Sequence, residues 1–365
     1  MIKTENLFNI LKRRNINFFS GVPDSILKNF SNFLIKYKKK EHFLAVNEGS
    51  AISIAAGYHL ATKKIPCVYM QNSGLSNAIN PLTSIVHKKV YSLPMLLIVG
   101  WRGSPKSKDE PQHMVKGKIT PNLLRLLNIK FIILKNKKDL KKLEKLILFS
   151  KKNNLPVACL IAKNTLSPIK YSEKIEKKDN LRKEFIQKFL TLIPKDCKII
   201  STTGYTSREL FQIRKENKYK NGKDFYMVGG MGHSSMVAMG VSIKYKKQVF
   251  CLDGDGSILM HMGSMRTTGN SNLINFKHIL LNNNMHESVG EQLTSAKKIN
   301  FQKLSTSLGY KKYFKINQIS NSNIILRNFI KSKGPCFLEV KINSGTFKKL
   351  IRPKNLRRIK IDFIK

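Results

Sequence analysis

Acidic residues are scarce in this chain of 365: 22 Asp plus Glu stand against 67 Lys plus Arg, a net charge of +45. Such an excess ordinarily points to a polyanionic partner. Arginine is scarce too, at 12 residues against 55 lysines, and readers of nucleic acid and phosphate favour arginine for its bidentate fork. Lysine accompanied by abundant Asn and Ile reads instead as composition drift over an ordinary fold. Neither nucleic acid nor a membrane is expected as a partner. The five cysteines, 67, 159, 197, 251 and 336, form no CxxC pair. That argues against a disulfide framework or a cysteine zinc site and for a reducing, cytoplasmic setting. Long apolar runs are missing as well: the longest, Leu93 to Trp101, has nine residues and includes a proline. A membrane helix needs roughly 20. The first residues are amphipathic and lack the apolar core of a signal peptide.

What the chain does have is material for a core. A hydrophobic content of 41%, with 20 Phe and 11 Tyr, excludes a disordered basic tail. Short apolar runs alternate with helical patterns, the signature of crossover units and parallel sheets. In the first half the expected strands are Phe18-Phe19, His42 to Val46, Pro66 to Met70, Met95 to Gly100, Phe131 to Leu134 and Val157 to Ile161. A polar, lysine-rich stretch broken by Pro168 reads as a linker over 166–179. The alternation then restarts with Ile199-Ile200, Phe225 to Val228, Val249 to Leu252, Ile279 to Asn282 and Phe337 to Val340. The expected organisation is two α/β domains, 1–165 and 180–365, each a mainly parallel sheet flanked by helices. No sequence repeat relates them. Ligands of such sheets gather at the carboxyl ends of the strands, so the polar segments there are the places to search.

One such segment is Asp253-Gly254-Asp255-Gly256-Ser257, at the end of an apolar strand. An Asp-Gly turn alone is common punctuation. Its partner changes the odds: about 25 residues after Gly256, a second apolar strand ends in Asn282-Asn283-Asn284. Asp255 and Asn283 offer a charged and a neutral side-chain oxygen, a donor set suited to Mg²⁺, which usually bridges protein oxygens to phosphates. Helix amides after Gly256 would favour the same anion.

Strand, Gly-Asp-Gly, about 25 residues and Asn-Asn resemble the cofactor motif of thiamine diphosphate-dependent enzymes. The resemblance implies Asp255, Asn283 and the main-chain oxygen of Met285 as metal ligands, with Gly254, Gly256 and Ser257 beside the cofactor. It also implies a pyrimidine-binding domain (1–165) carrying a Glu, and a diphosphate-binding domain (180–365). Glu48, in Asn47-Glu48-Gly49-Ser50 after a strand, stands where that Glu is expected. Gly230-Met231-Gly232 resembles the cofactor-lining turn, with Met231 as the bulky prop under the thiazolium. Gly21-Val22-Pro23-Asp24-Ser25, Gln71-Asn72-Ser73-Gly74-Leu75, Asp109-Glu110-Pro111-Gln112-His113 and His286-Glu287-Ser288-Val289-Gly290 narrow the resemblance to the phosphonopyruvate decarboxylases, with the sulfopyruvate decarboxylases close by. This branch lacks the middle domain of larger decarboxylases. Asn284, Met285 and Glu291 depart from its usual Gly, Ala and Gly.

The resemblance implies a carboxy-lyase that acts on a small anionic 2-oxo acid, with 3-phosphonopyruvate giving phosphonoacetaldehyde and CO2 in phosphonate biosynthesis. It also implies a homodimer or larger, with active sites between subunits. Glu48, His113 and His286 are the expected catalytic residues, the histidines for proton transfer. Asp24, Asn72, Ser73, Arg102, Glu287 and Ser288 are expected around the substrate, with Arg102 forking onto the phosphonate.

Overall fold

Two six-stranded sheets lie at the centre of the buried apolar clusters in this computed structural model, which describes residues 1–105, 107–169 and 179–365. Residues 170–178 of the expected linker lie outside the described residues. The chain divides into two compact units, Met1–Glu173 and Lys174–Lys365.

The strands of the first unit are β1 (Phe19–Gly21), β2 (His42–Leu44), β3 (Cys67–Gln71), β4 (Leu96–Gly100), β5 (Lys130–Leu134) and β6 (Val157–Ile161). They pair in parallel in the order β2-β1-β3-β4-β6-β5. Side chains alternate across the sheet, as a period of two demands. Cys67, Tyr69, Leu96 and Ile98 join one buried cluster with Leu7, Phe8 and Phe30. Val68, Met70, Leu97 and Val99 join the other with Ala51, Ala55 and Ala78. Burial on both faces explains why β3 and β4 read as unbroken apolar runs.

The second unit contains β7 (Lys198–Ser201), β8 (Lys223–Tyr226), β9 (Val249–Gly254), β10 (Phe276–Asn282), the short hairpin of β11 (Met285–His286) and β12 (Gln292–Leu293), then β13 (Lys312–Ile316) and β14 (Cys336–Lys341). The main sheet runs β13-β14-β10-β9-β7-β8, again all parallel. Read from β8, this is the strand order of the first sheet. The two units therefore share one topology although no sequence repeat connects them. The sequence pattern also missed β13. Its Lys312 and Lys315 are exposed and its Tyr313 and Phe314 half-buried, because it is a sheet edge, where lysine blocks further pairing. Lysines 137, 138, 141, 142, 151 and 152 are likewise exposed, on and just before the outer helix Lys138–Asn153.

Candidate active site

In each unit the candidate residues follow the carboxyl ends of consecutive strands, as open α/β sheets require. In the first unit Asp24 follows β1, Glu48 follows β2, Asn72 and Ser73 follow β3, and Arg102 follows β4. Asn47 caps the helix Glu48–Thr62, its Oδ1 accepting from the Ser50 amide at 2.8 Å, which sets Glu48 in the first turn. Glu48 is 5% exposed, and its Oε2 accepts from Asn77 Nδ2 at 2.8 Å. Burial raises its pKa above the ordinary carboxylate value, against the pull of Asn77 and of the Lys116 ammonium. A Cβ at Gly74 would lie 2.2 Å from Glu48 Oε1, so only glycine leaves room for that oxygen.

Asp24 is fully buried. Its Oδ2 accepts from the amides of Ile26 and Leu27, each at 3.1 Å, while Oδ1 has no hydrogen-bond partner. Desolvation raises its pKa to about 6. A carboxylate held near neutrality with one oxygen unpartnered is equipped for proton transfer.

Three residues expected around a substrate have polar groups engaged by the protein itself. Arg102 does not hold its fork ready for a phosphonate: Nε and Nη2 grip Asp109, and Nη1 lies 3.3 Å from Ser25 Oγ. Asp109, quoted in a motif but given no role, is what occupies it, and Arg102 holds that carboxyl down at about 2 although burial opposes it. The Asn72 amide is engaged on both sides. Nδ2 donates to the Arg102 carbonyl at 2.9 Å and to Thr120 Oγ1 at 3.0 Å, and Oδ1 accepts from the Arg102 amide at 3.2 Å. It ties the β3 and β4 loops together. Ser73 receives Gln71 Nε2 on its hydroxyl, and its carbonyl accepts from Lys116 Nζ at 3.2 Å. Lys116, absent from the sequence-based set, thus stands by Glu48. His113 lies in the first turn of the helix Pro111–Leu126. That helix packs on the β4 loop where Gly103, at φ +66°, comes so close that a Cβ would lie 1.8 Å from the His113 carbonyl.

In the second unit Thr202 follows β7, Gly230-Met231-Gly232 follow β8, Asp255 follows β9 and Asn283 follows β10. Gly230 and Gly232 adopt φ +63° and +89°, so the turn around Met231 needs both. The Gly232 amide donates to Ser257 Oγ at 3.0 Å, and that hydroxyl bonds to Thr202 Oγ1 at 2.9 Å, binding the turn to the Gly254-Asp255-Gly256 corner. A Cβ at Gly256 would lie 2.6 Å from the His286 ring and 3.2 Å from Met231 Cε, so these two side chains converge over that glycine. Burial lowers the His286 imidazole to about 4. The ring is therefore neutral at pH 7. His261 was missed by the sequence reading. It stacks on His233 at 4.4 Å beside Gly232, with burial and then the His233 charge lowering its pKa.

Asp255 is 3% exposed and accepts from the Thr294 hydroxyl. Desolvation raises its pKa to about 6, a burden that a bound divalent cation relieves. Asn283 Oδ1 accepts from the Met285 amide at 3.1 Å and its Nδ2 donates to Glu287 Oε2 at 3.0 Å. Asn284 takes φ +57°, a left-handed position that Asn tolerates in place of glycine, and its buried Oδ1 has no partner. The donor set, the under-compensated Asp255 and the orphaned Asn284 oxygen fit a magnesium-held diphosphate. Both oxygens of Glu287, a residue expected around the substrate, are engaged, by Arg182 and Asn283 and by the Gly345 amide. Ser288 Oγ packs by Gly204, 3.0 Å from where a Cβ would stand.

Residues 3–122 match the profile of the thiamine pyrophosphate enzyme N-terminal TPP binding domain, and residues 201–340 that of the C-terminal TPP binding domain. The chain is 36% identical over 123 residues to sulfopyruvate decarboxylase subunit alpha of Methanocaldococcus jannaschii, covering 34% of this chain and 70% of that one. The chain belongs to the thiamine pyrophosphate enzyme family. Within it, the chain is 29% identical over 374 residues to phosphonopyruvate decarboxylase of Streptomyces viridochromogenes, covering 97% of this chain and 92% of that one. It is 25% identical over 368 residues to sulfopyruvate decarboxylase of Methanosarcina acetivorans, covering 93% and 91%. Each unit is thus a thiamine diphosphate-binding domain, and the protein is an enzyme of the carboxy-lyase class. Among the described residues no helix is long and apolar enough to cross a membrane.

Proposed function

We propose that the protein decarboxylates 3-phosphonopyruvate to phosphonoacetaldehyde and CO2, with thiamine diphosphate and Mg²⁺, as a step of phosphonate biosynthesis. The observation that carries the reading is the set of buried carboxylates with raised pKa at strand ends, Asp24, Glu48 and Asp255, in a chain related over nearly its full length to a phosphonopyruvate decarboxylase. The cofactor supplies an electron sink for the pair released when the bond to the carboxylate breaks. Glu48 would hold a proton on the aminopyrimidine ring, and its seat at a helix N-terminus favours the carboxylate against the cost of burial. Asp255 and Asn283 Oδ1, with the Met285 carbonyl, would hold the metal. Met231 and the neutral His286 ring line the same corner, the ring as a hydrogen-bond acceptor or base rather than a cation. Asp24 or His113 would exchange the proton that replaces CO2 on the substrate.

The test is CO2 release from 3-phosphonopyruvate, sulfopyruvate and pyruvate at equal concentration. The expected result is the highest kcat/KM for 3-phosphonopyruvate, with phosphonoacetaldehyde as product. The relationship to the Methanosarcina protein supports a second reading, sulfopyruvate as substrate; preference for it would overturn the first. Self-association into a homodimer or larger is part of the proposal. An active monomer in sedimentation would contradict it.

A pH dependence follows from Asp24. Its carboxyl, raised from the ordinary value near 3.8 to about 6, is charged above that pH and neutral below it. The kcat/KM profile should bend near pH 6, and Asp24→Asn should remove the bend while lowering the plateau roughly 10²-fold. An unchanged bend in the variant would assign it to another group.

A further inference from the structure

The second unit holds a buried line of charge that the reaction itself does not call for. Arg182 opens the helix Arg182–Leu192, and its Nη1 donates to Glu209 Oε1 at 3.0 Å while Nη2 donates to Glu287 Oε2. All three side chains are less than a tenth exposed. Glu287 Oε1 accepts from the Gly345 amide at 2.6 Å, and Oε2 also receives Asn283 Nδ2 at 3.0 Å. We propose that Glu287, clamped by Arg182 and Gly345, is a positioning residue that fixes which end of the Asn283 amide faces the metal.

An asparagine side chain has a donor end and an acceptor end of nearly equal size, and only its neighbours decide between them. Here both neighbours agree. The carboxylate of Glu287 accepts from Nδ2, and the Met285 amide donates to Oδ1 at 3.1 Å. Turning the amide over would set NH2 against that N–H and Oδ1 against a carboxylate, two repulsive contacts in a half-buried place. The oxygen keeps a second lone pair for a cation. Orientation of a metal ligand by an outer hydrogen bond changes affinity by about 10–100-fold. Without the clamp, only the Met285 amide would hold Asn283 in its ligand orientation. The triad carries two carboxylates for one guanidinium, so it adds negative potential beside the same loop. It also removes Glu287 from the substrate.

This inference rests on the cofactor reading above. Its test is Mn²⁺ binding, measured by electron paramagnetic resonance in the presence of thiamine diphosphate, so that no turnover is involved. Glu287→Leu should weaken Mn²⁺ binding about 10–100-fold, and Glu287→Gln, which keeps the volume, at least about threefold. The control is Asp224→Asn, which breaks the buried Arg214–Asp224 pair of the same unit (Nε to Oδ2 at 2.7 Å, Nη2 to Oδ1 at 2.8 Å). It should lower Tm without moving Mn²⁺ affinity. If Glu287→Gln binds Mn²⁺ like the wild type, or the control loses as much affinity as the Glu287 variants, the inference is overturned. Failure of the wild type to bind Mn²⁺ with thiamine diphosphate would overturn the cofactor reading, and this inference with it.

Discussion

Glu48→Gln is expected to lower kcat for decarboxylation by roughly 10²–10⁴-fold, the usual worth of a positioned proton-transfer group. The glutamine is nearly isosteric and its Oε1 keeps the acceptor that Asn77 Nδ2 requires at 2.8 Å. What it loses is the charge. A neutral amide cannot hold a proton on the cofactor ring, and its NH2 would have to fit beside Gly74, where the structure leaves space for an unprotonated oxygen. Folding should not suffer. Burial raises the Glu48 pKa above its ordinary value, so the carboxylate destabilises the folded chain at neutral pH, and that penalty fades as pH falls through the raised pKa. The variant should therefore melt at the same temperature as the wild type or slightly higher near pH 8. Activity within tenfold of wild type, in protein of unchanged circular dichroism, would remove Glu48 from the mechanism.

The fold was legible in the sequence because both sheets are buried on both faces. Continuous apolar runs such as Val157–Ile161 and Leu96–Gly100 have no other soluble explanation, and the structure places both as central strands. One edge strand was less legible. Lys312–Ile316 interleaves lysine with aromatics, a pattern that an exposed helix face would also give. The shared strand order of the two units left no trace in the sequence, since topology constrains where apolar residues fall and not which ones they are.

For the site, motif spacing singled out Glu48, Asp255 and Asn283, and the structure sets each of them just after a strand. It could not say which polar residues face a ligand and which brace the loops. Arg102, Asn72 and Glu287 were expected around a substrate, yet their polar groups are engaged by Asp109, by the Arg102 backbone and by Arg182. Partners such as Arg182 and Glu209 come from helices far from the motif in sequence. Only the three-dimensional structure brings them together.

Buried acids separate the two kinds of residue. Asp139, Asp253 and Glu339 are buried with pKa values held below the ordinary range by direct partners: Lys142, His278 and Lys341. They stabilise the fold. Asp24, Glu48 and Asp255 are buried with raised values, as is Glu209 of the Arg182 clamp beside the Asn283 loop, a state that costs stability and persists at and around sites of function. This contrast predicts a specific outcome for Asp255→Asn. Binding of Mg²⁺ with thiamine diphosphate should fall at least about 100-fold, since the charged member of the ligand set is gone. The metal-free variant, meanwhile, should be more stable than the metal-free wild type. A shift from near 3.8 to about 6 corresponds to a penalty on the order of 3 kcal/mol, present above pH 6 and absent below the unfolded value near 3.8. Thr294 can donate to the asparagine oxygen as it does to the carboxylate. The expected readout is a rise in Tm of several degrees at pH 8 that shrinks as pH falls towards 4, together with loss of metal binding by calorimetry. A lower Tm at pH 8 would mean that Asp255 braces the loop, and that its burial is not the strain that a cation relieves.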